Sequence, residues 1–298
     1  MSLTLISILL PAALGIVMFG LGLTLTVSDL VRVFKAPKAA VIALVCQLLV
    51  LPAIAFGLVL LFDLAPELAV GMMLLAASPG GSSASLFSHL AGGDVALNIS
   101  VTAINSIIAL VTFPIVAQLS MAHFLGEGQS IGLQPDKLIQ IFATVVLPVV
   151  LGMWVRHRFT AWAERMRGTV KIASIVVLAV VIVGAVSQKY QVLLDNAGAL
   201  AVITLLFCGC GLTIGYFAPR AFHVSPEQAI ASAMEIGIHN AVLAITVAIS
   251  VLGNETMAIP AAVYGILMYF PVVLVAYLFA RRTRAGHLVN QPRDVDMA

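Results

Sequence analysis

The sequence predicts an all-α protein that crosses a membrane many times, and three observations lead to this class. Of its 298 residues, 61% are hydrophobic and only 9% are Asp, Glu, Lys or Arg, whereas a soluble domain carries roughly a quarter charged residues. Apolar runs of about 20 residues, long enough to cross a bilayer as helices, recur from end to end. Two of these runs are interrupted at matching positions, which is typical of transporters.

Nine membrane-spanning segments are predicted from the apolar runs. They cover residues 5–26, 38–62, 67–91, 95–121, 138–155, 170–187, 197–218, 226–252 and 257–280. With nine spans, 13 of the 15 Lys and Arg residues lie on one side, and only Lys137 and Lys189 lie on the other. By the positive-inside rule, this multi-pass protein of the cell membrane (inner or plasma membrane) has its C-terminus in the cytoplasm and its N-terminus outside. No basic residue precedes Arg32, so the first segment lacks the basic region of a signal peptide and is expected to be retained.

Segment two contains a single amide side chain, Gln47, within an apolar run. Amides often form hydrogen bonds between membrane helices, and their oxygens can also bind a hard cation. The residue type leaves both roles open.

Segment three is predicted to break in its middle, where residues 78–83 read Ser-Pro-Gly-Gly-Ser-Ser. Proline removes a backbone donor and glycine adds conformational freedom, so a helix is expected to stop there. At bilayer depth, open backbone is tolerated only where protein or a watery cavity meets it. The break therefore predicts a binding site.

Segment four carries polar side chains on one face, since Asn98, Thr102 and Asn105 recur at spacings of four and three residues. A polar face in lipid must look at protein or water. It could line a cavity or hold helices together, and a cavity is the favoured interpretation.

Segment eight contains Glu235, the only acidic residue far from a link, a tail or a segment end. A carboxylate at this depth is costly and indicates function, although it could also be a structural group paired with a neighbouring donor. Together with Gln47, Asn98 and Thr102 it offers oxygen ligands that suit a small hard cation such as sodium. Clustered Cys and His for a soft metal are absent from the sequence, and the three cysteines, Cys46, Cys208 and Cys210, are expected to be buried as small hydrophobic residues.

His239 lies four residues after Glu235, and a break is predicted between them. A lone membrane histidine can serve in packing or in function, and both stay open. Because an imidazole changes its charge near neutral pH, transport is expected to depend on pH through His239. Either neutral His239 helps to bind sodium and acid reduces uptake, or protonated His239 replaces a sodium and acid increases uptake.

The two interrupted segments correspond to each other, since residues 66–94 match 226–254, 160 positions later. Both begin with Pro-Glu, and the break Pro79-Gly80 falls on His239-Asn240. The segments are third and eighth, five apart, so the two halves are expected to be repeats of inverted topology. The predicted units are a first repeat of four helices that lacks its first helix at 1–121, an outward loop at 122–137, a second repeat of five helices at 138–280 and a cytoplasmic tail at 281–298.

A new half-helix begins after each break, and its N-terminus favours anions through free amides and the positive end of the helix dipole. The candidate substrate-binding residues are Gly81, Ser82, Ser83 and Asn240. We expect a small organic anion, with a carboxylate as the favoured group, and a cation bound nearby that neutralises it.

Five stretches resemble the bile acid:sodium symporter family, and the resemblance covers nearly the whole chain. They are Met18 to Thr26 with Ser28 and Asp29, then Gln47, then Pro79 to Gly81, then Val95 to Leu97 with Thr102, and then Glu235 to Gly237 with Asn240. The resemblance implies a panel domain beside a core domain in which two broken helices cross. Bacterial members of known structure have ten helices, and this chain begins where their second helix begins, in a nine-helix form.

The resemblance also implies two sodium sites. The first would use Ser85, Asn98, Thr102 and Glu235. The second would use Gln47, Glu235, His239 and the backbone carbonyls of Ile236 and Ile238. The sequence departs from the family pattern at Ala84, Ser85, Asn98 and His239. The family usually has asparagine at the position of Ser85 and serine at that of Asn98, so the amide has moved to the neighbouring helix, which could preserve the first site.

These observations predict a secondary active transporter that imports an organic anion with sodium by alternating access. The resemblance implies a bile-acid-like, pantothenate-like or 2-keto acid substrate. The alternatives are a proton-coupled organic anion transporter that uses His239 and Glu235 and, less expected, a membrane receptor that does not transport. An intramembrane enzyme would need a nucleophile–base pair or a metal cluster, and the sequence shows neither. No cofactor is expected beyond sodium as coupling ion, no obligate protein partner is evident, and a net charge of +2 gives no reason to expect nucleic acid.

Overall fold

The structure, a computed structural model, is described here for most of the chain. The described residues are 15–16, 18–20, 22–23, 33–81, 83–126, 135–166, 168–169, 172–173, 176 and 190–289. Within them the chain is helical, and only one isolated bridge is β-like.

Ten helices have both ends within the described residues, and further helical residues lie within 15–23 and 160–176. The ten helices are α1 (Pro37–Leu61), α2 (Pro66–Ala77), α3 (Ala84–Leu90), α4 (Val95–Leu125), α5 (Pro135–Arg158), α6 (Tyr190–Ala221), α7 (Pro226–Gly237), α8 (Ala241–Ser250), α9 (Ile259–Leu267) and α10 (Tyr269–Val289). Short 3₁₀ turns at Val33–Lys35 and Thr256–Ala258 precede α1 and α9. Four stretches are long and apolar enough to cross a membrane, namely Pro37–Leu61, Val95–Leu125, Gln191–Ala221 and Thr256–Arg281. The described chain is therefore an all-α membrane protein, as predicted.

The predicted segments one and six fall mostly outside the described residues. The number of nine spans therefore stays a prediction. The other seven segments correspond to described helices, with α2 and α3 forming segment three and α7 and α8 forming segment eight.

Segment three breaks where the sequence predicts. Helix α2 ends at Ala77, and Ser78 is extended with φ −71° and ψ 145°, because a residue before proline avoids the helical region. The Ser78 hydroxyl donates to the Leu75 carbonyl at 2.7 Å. The Leu75 carbonyl, at the end of the helix, thus accepts from both the amide and the hydroxyl of Ser78.

Segment eight breaks as well, between Glu235 and His239. Helix α7 ends at Gly237, and Ile238 is extended with φ −119° and ψ 99°. The segment becomes helical again as α8 after Asn240, whose Oδ1 accepts from the Leu243 amide at 3.1 Å. An asparagine is among the best residues for such an N-cap.

The two breaks cross and pair with each other. Gly80 and His239 form an antiparallel bridge. The Gly81 amide donates to the Ile238 carbonyl at 2.6 Å, and the Asn240 amide donates to the Pro79 carbonyl at 2.9 Å. Each break thus satisfies backbone groups that the other exposes, which open backbone inside a membrane protein requires.

The outer ends of the crossed segments are also tied together. The Asp94 amide, after α3, donates to the Glu227 carbonyl at the start of α7 at 2.9 Å. The Asn254 amide side chain, after α8, donates to Glu67 at the start of α2 at 2.8 Å. In the alignment of the two segments, Asp94 corresponds to Asn254 and Glu67 to Glu227, so each end meets the beginning of the other segment.

Helices α2 and α7 are largely enclosed, since residues 68–77 and 229–237 are all buried. Small residues let neighbouring helices approach them closely. A Cβ atom built on Gly211 of α6 would lie 2.8 Å from the Ile236 carbonyl oxygen, and one on Gly215 would lie 2.7 Å from Ala233 Cα. Helix α6 is therefore packed directly on the backbone of α7.

Helix α5 packs against α4 and against described residues of the first segment. A Cβ atom on Gly22 or on Gly152 would overlap the other segment's backbone. Arg156, near the end of α5, donates to the Leu23 carbonyl at 3.2 Å. Two glycines thus bring these segments into backbone contact.

Candidate cation and substrate site

Four elements bring polar side chains to the crossing point: α1, α4, the end of α7 and the second break. Gln47, Asn98, Glu235 and His239 are each at most 2% exposed. The residues predicted from separate stretches of the sequence therefore lie in one buried region.

Gln47 is presented by an irregular part of α1. Residues Cys46–Val50 form a π-helical turn, and Pro52, just beyond it, lacks the N–H that a regular helix would use. Such turns are frequent at functional sites. The Gln47 Nε2 atom donates to the Ser78 carbonyl at 3.2 Å and lies 3.0 Å from His239 Nε2. Gln47 therefore joins α1 to both breaks.

Glu235 lies in the last turn of α7 and is fully buried. The Thr102 hydroxyl, on α4, donates to Glu235 Oε2 and is also 2.9 Å from the Asn98 carbonyl. Gly80 lies against the other side of the carboxyl group, and a Cβ atom there would overlap it. The first break therefore needs glycine at this position to make room for Glu235.

Three buried side-chain oxygens in this region have no hydrogen-bond partner among the described residues: Gln47 Oε1, Asn98 Oδ1 and Glu235 Oε1. Asn98 uses its Nδ2 group to donate to the Ala231 carbonyl at 3.0 Å. Buried polar atoms are normally paired, because an unsatisfied one is costly. Carboxylate and amide oxygens are the ligands that hard cations prefer, so this set fits a small cation such as sodium.

His239 has a second neighbour that sequence reasoning missed. Tyr264 of α9 is fully buried, its hydroxyl donates to the Gly237 carbonyl at 2.8 Å, and its oxygen lies 3.2 Å from His239 Nδ1. The Cys208 thiol also donates to the Gly237 carbonyl, at 3.3 Å. A tyrosine in the middle of an apolar segment was the available signal, since a buried phenol needs a hydrogen-bond partner.

Ser85, assigned to the first sodium site, lies partly buried in the first turn of α3. Within the described residues no hydrogen bond joins it to Glu235. The structure thus brings together Thr102 with Glu235, and Gln47 with His239.

Three of the four predicted substrate-binding residues, Gly81, Ser83 and Asn240, lie at or next to the breaks. The backbone N–H groups of Gly81 and Asn240 are already used in the crossing. Ser83 Oγ lies 3.4 Å from the Tyr269 hydroxyl. Ser82 lies outside the described residues.

Comparison with known proteins gives a family and several relatives. The family model described as Sodium Bile acid symporter family matches residues 11–196. This stretch includes Gln47, the first break with the helices α2 and α3 on either side of it, Asn98 and Thr102. An uncharacterised sodium-dependent transporter, YocS, of Bacillus subtilis (strain 168) is 27% identical over 264 residues, which cover 88% of this chain and 80% of the relative.

Two relatives from eukaryotes are similarly distant. The probable chloroplastic sodium/metabolite cotransporter BASS1 of Arabidopsis thaliana is 26% identical over 85% of this chain and 62% of its own length. The ileal sodium/bile acid cotransporter of Homo sapiens is 26% identical over 81% of this chain and 69% of its own length. The chain thus spans about three fifths of the plant relative and somewhat more of the human one.

Proposed function

This chain belongs to the sodium bile acid symporter family, and from this premise we propose that it imports an organic anion together with sodium by alternating access. Family membership makes it a transporter rather than an enzyme. The observation that carries the proposal is the fully buried Glu235, which faces the first break and has one oxygen with no hydrogen-bond partner among the described residues.

The first sodium would bind between α4 and α7, at Ser85, Asn98, Thr102 and Glu235. Two of the unpartnered oxygens, on Asn98 and Glu235, belong to this set. One carboxylate and one monovalent cation would neutralise each other, which removes the cost of an isolated buried charge.

The second sodium would bind between α1 and the second break, with oxygens of Gln47, Glu235, Ile236 and Ile238 as ligands. His239 belongs to this site as the hydrogen-bond partner of Gln47. Gln47 Oε1 is the third unpartnered oxygen. The Ile238 carbonyl already accepts from Gly81, but a carbonyl oxygen has two lone pairs and can still face a cation.

The substrate would be a small organic anion held near the start of α3 and α8, by Gly81, Ser82, Ser83 and Asn240. Relatives named for bile acid and for sodium/metabolite cotransport support an organic substrate. A bile-acid-like, a pantothenate-like and a 2-keto acid are the classes to test, and bound sodium would reduce the repulsion between Glu235 and the anion.

Alternating access would use the inverted repeats at 1–121 and 138–280, joined by the outward loop 122–137 and followed by the tail 281–298. The corresponding contacts Asp94–Glu227 and Asn254–Glu67 support a core with matching ends. We place the protein in the cell membrane with the N-terminus outside.

The test is uptake into proteoliposomes that contain the purified protein. Candidate anions are first screened by their effect on thermal stability with and without sodium, and stabilising anions are then used as labelled substrates. We expect an inward sodium gradient to drive accumulation that collapses when the gradient is dissipated. Binding without accumulation would favour a receptor and contradict the proposal.

Proton coupling is the second candidate, because His239 contacts Gln47 in the second cation site. The same vesicles distinguish it. A proton gradient at equal sodium on both sides would drive accumulation in that case, and a sodium gradient at equal pH would not.

A further inference from the structure

We infer that Tyr264 is a positioning residue that fixes the tautomer of His239 and, through it, aims the Gln47 side-chain oxygen at the cation site. The inference rests on the proposed sodium coupling for its effect on transport. The hydrogen-bond pattern that carries it is independent of that coupling.

The pattern starts at the broken end of α7. The Gly237 carbonyl can only accept, so the Tyr264 hydroxyl donates its single proton there, at 2.8 Å. The phenol oxygen can then only accept from His239 Nδ1, 3.2 Å away. His239 Nδ1 therefore carries a proton.

The other imidazole nitrogen is set by Gln47. The Ser78 carbonyl is also only an acceptor, so the group that faces it at 3.2 Å must be the Gln47 amide nitrogen and not its oxygen. The same nitrogen lies 3.0 Å from His239 Nε2, and its second proton is directed there. His239 Nε2 accordingly accepts and carries no proton.

All donors therefore point the same way: Gln47 donates to His239, His239 donates to Tyr264, and Tyr264 donates to the Gly237 carbonyl. Both amide protons of Gln47 are used, and its Oε1 atom has no hydrogen-bond partner among the described residues. Partners that orient a ligand in this way typically change the metal affinity by about tenfold or more.

Without the phenol, one of the two contacts that hold the tautomer is lost, and only the Gln47 amide, bound to the Ser78 carbonyl, still favours a bare Nε2. A proton on Nε2 would face the Gln47 amide nitrogen, and the amide would turn to offer its oxygen instead. That turn would consume the oxygen that the cation needs. A glutamine at position 239 has no tautomer to fix, so its own oxygen can accept from Gln47 whether or not Tyr264 is present.

The experiment is a double-mutant cycle of Tyr264→Phe and His239→Gln, with Tyr277→Phe as the matched control, since Tyr277 is 56% exposed and lies away from the site. The sodium concentration for half-maximal uptake is measured in proteoliposomes. We expect Tyr264→Phe to raise it about tenfold in the parent, and to leave it within about twofold in the His239→Gln background. Equal increases in both backgrounds would show a merely structural tyrosine and overturn the inference.

Nitrogen-15 spectra of histidine-labelled protein give a readout that does not depend on transport. The His239 signals are identified by their loss in His239→Gln. We expect a protonated Nδ1 and a bare Nε2 in the parent, and a protonated Nε2 in a substantial fraction of Tyr264→Phe. A parent with a proton on Nε2 overturns the assignment, even if uptake proves independent of sodium and the proposed function fails.

Discussion

At the scale of single residues, the candidate site depends on a missing side chain as much as on a charged one. Glu235 is fully buried, and the space it occupies exists because Gly80 has no Cβ atom. Gly80, which belongs to the stretch that breaks segment three, therefore also makes room for the carboxylate. Local conformation and site geometry are determined by the same residues.

Replacing Glu235 with glutamine keeps the shape of the side chain and removes its charge. We expect the sodium concentration for half-maximal uptake to rise about 30-fold or more, because losing one partner of a buried charge pair costs roughly 2–5 kcal/mol. Elution of the variant as a single species checks that it folds. Glu164→Gln is the control, since that side chain is 62% exposed. Parental sodium dependence in Glu235→Gln would contradict the site assignment.

Replacing Gly80 with alanine tests the same carboxylate from the other side. The added methyl would overlap the Glu235 carboxyl group, so the carboxylate must move and sodium binding should weaken about tenfold. Gly57→Ala is the control because a Cβ atom there meets nothing within 4 Å. Isothermal titration with sodium measures the affinity, and an unchanged value in Gly80→Ala would exclude the close contact.

At the scale of elements, the two broken helices are stable because their breaks meet. The amides of Gly81 and Asn240 and the carbonyls of Pro79 and Ile238 pair across the crossing. An isolated break would leave these groups open in the membrane interior. Neither break is expected to persist without the other.

The packing of α6 on α7 gives a prediction within a single helix. A methyl at Gly211 would meet the Ile236 carbonyl at 2.8 Å, whereas one at Gly209 meets nothing within 4 Å. We expect Gly211→Ala to destabilise the protein by roughly 1–3 kcal/mol, the usual cost of overpacking. Gly209→Ala should be neutral or slightly stabilising, since alanine favours helix over glycine. Thermal unfolding in detergent compares the two, and equal stability would rule out the close helix contact.

At the scale of the whole molecule, two corresponding polar contacts fit an inverted relation between the halves. Asp94 meets Glu227, and the corresponding Asn254 meets Glu67. Segments related by an inverted repeat would make such reciprocal contacts.

Nine spans place the two ends of the chain on opposite sides. The distribution of 13 and two basic residues predicts an outer N-terminus and a cytoplasmic C-terminus. Single cysteines introduced at Ser2 and at Ala298 are labelled in intact cells with a membrane-impermeant thiol reagent. We expect labelling at position 2 only, and labelling of both positions would mean that the number of spans is even.

The sequence by itself determined the features that depend on neighbouring residues. Recurring apolar runs of about 20 residues with few charges indicate membrane helices, and Pro79 with its glycines stops one of them. The break after Glu235 followed from its alignment with the first break, and Glu235 drew attention because a buried carboxylate is costly. Each of these inferences uses either residues close together in the chain or the correspondence of residues 66–94 with residues 226–254.

Only the tertiary structure decided which of these groups meet. Gln47 and His239 are 192 residues apart, and no local pattern indicates that they share a hydrogen bond. Tyr264 escaped notice because the available signal, a single phenol in an apolar segment, does not indicate which group the phenol meets. Whether its hydroxyl finds a carbonyl, an imidazole or lipid depends on helix packing. That packing alone sets the hydrogen bonds that lead from Gln47 through His239 and Tyr264 to Gly237, because each donor is fixed by the acceptor that faces it. It therefore also decides which oxygen of Gln47 is left for a cation.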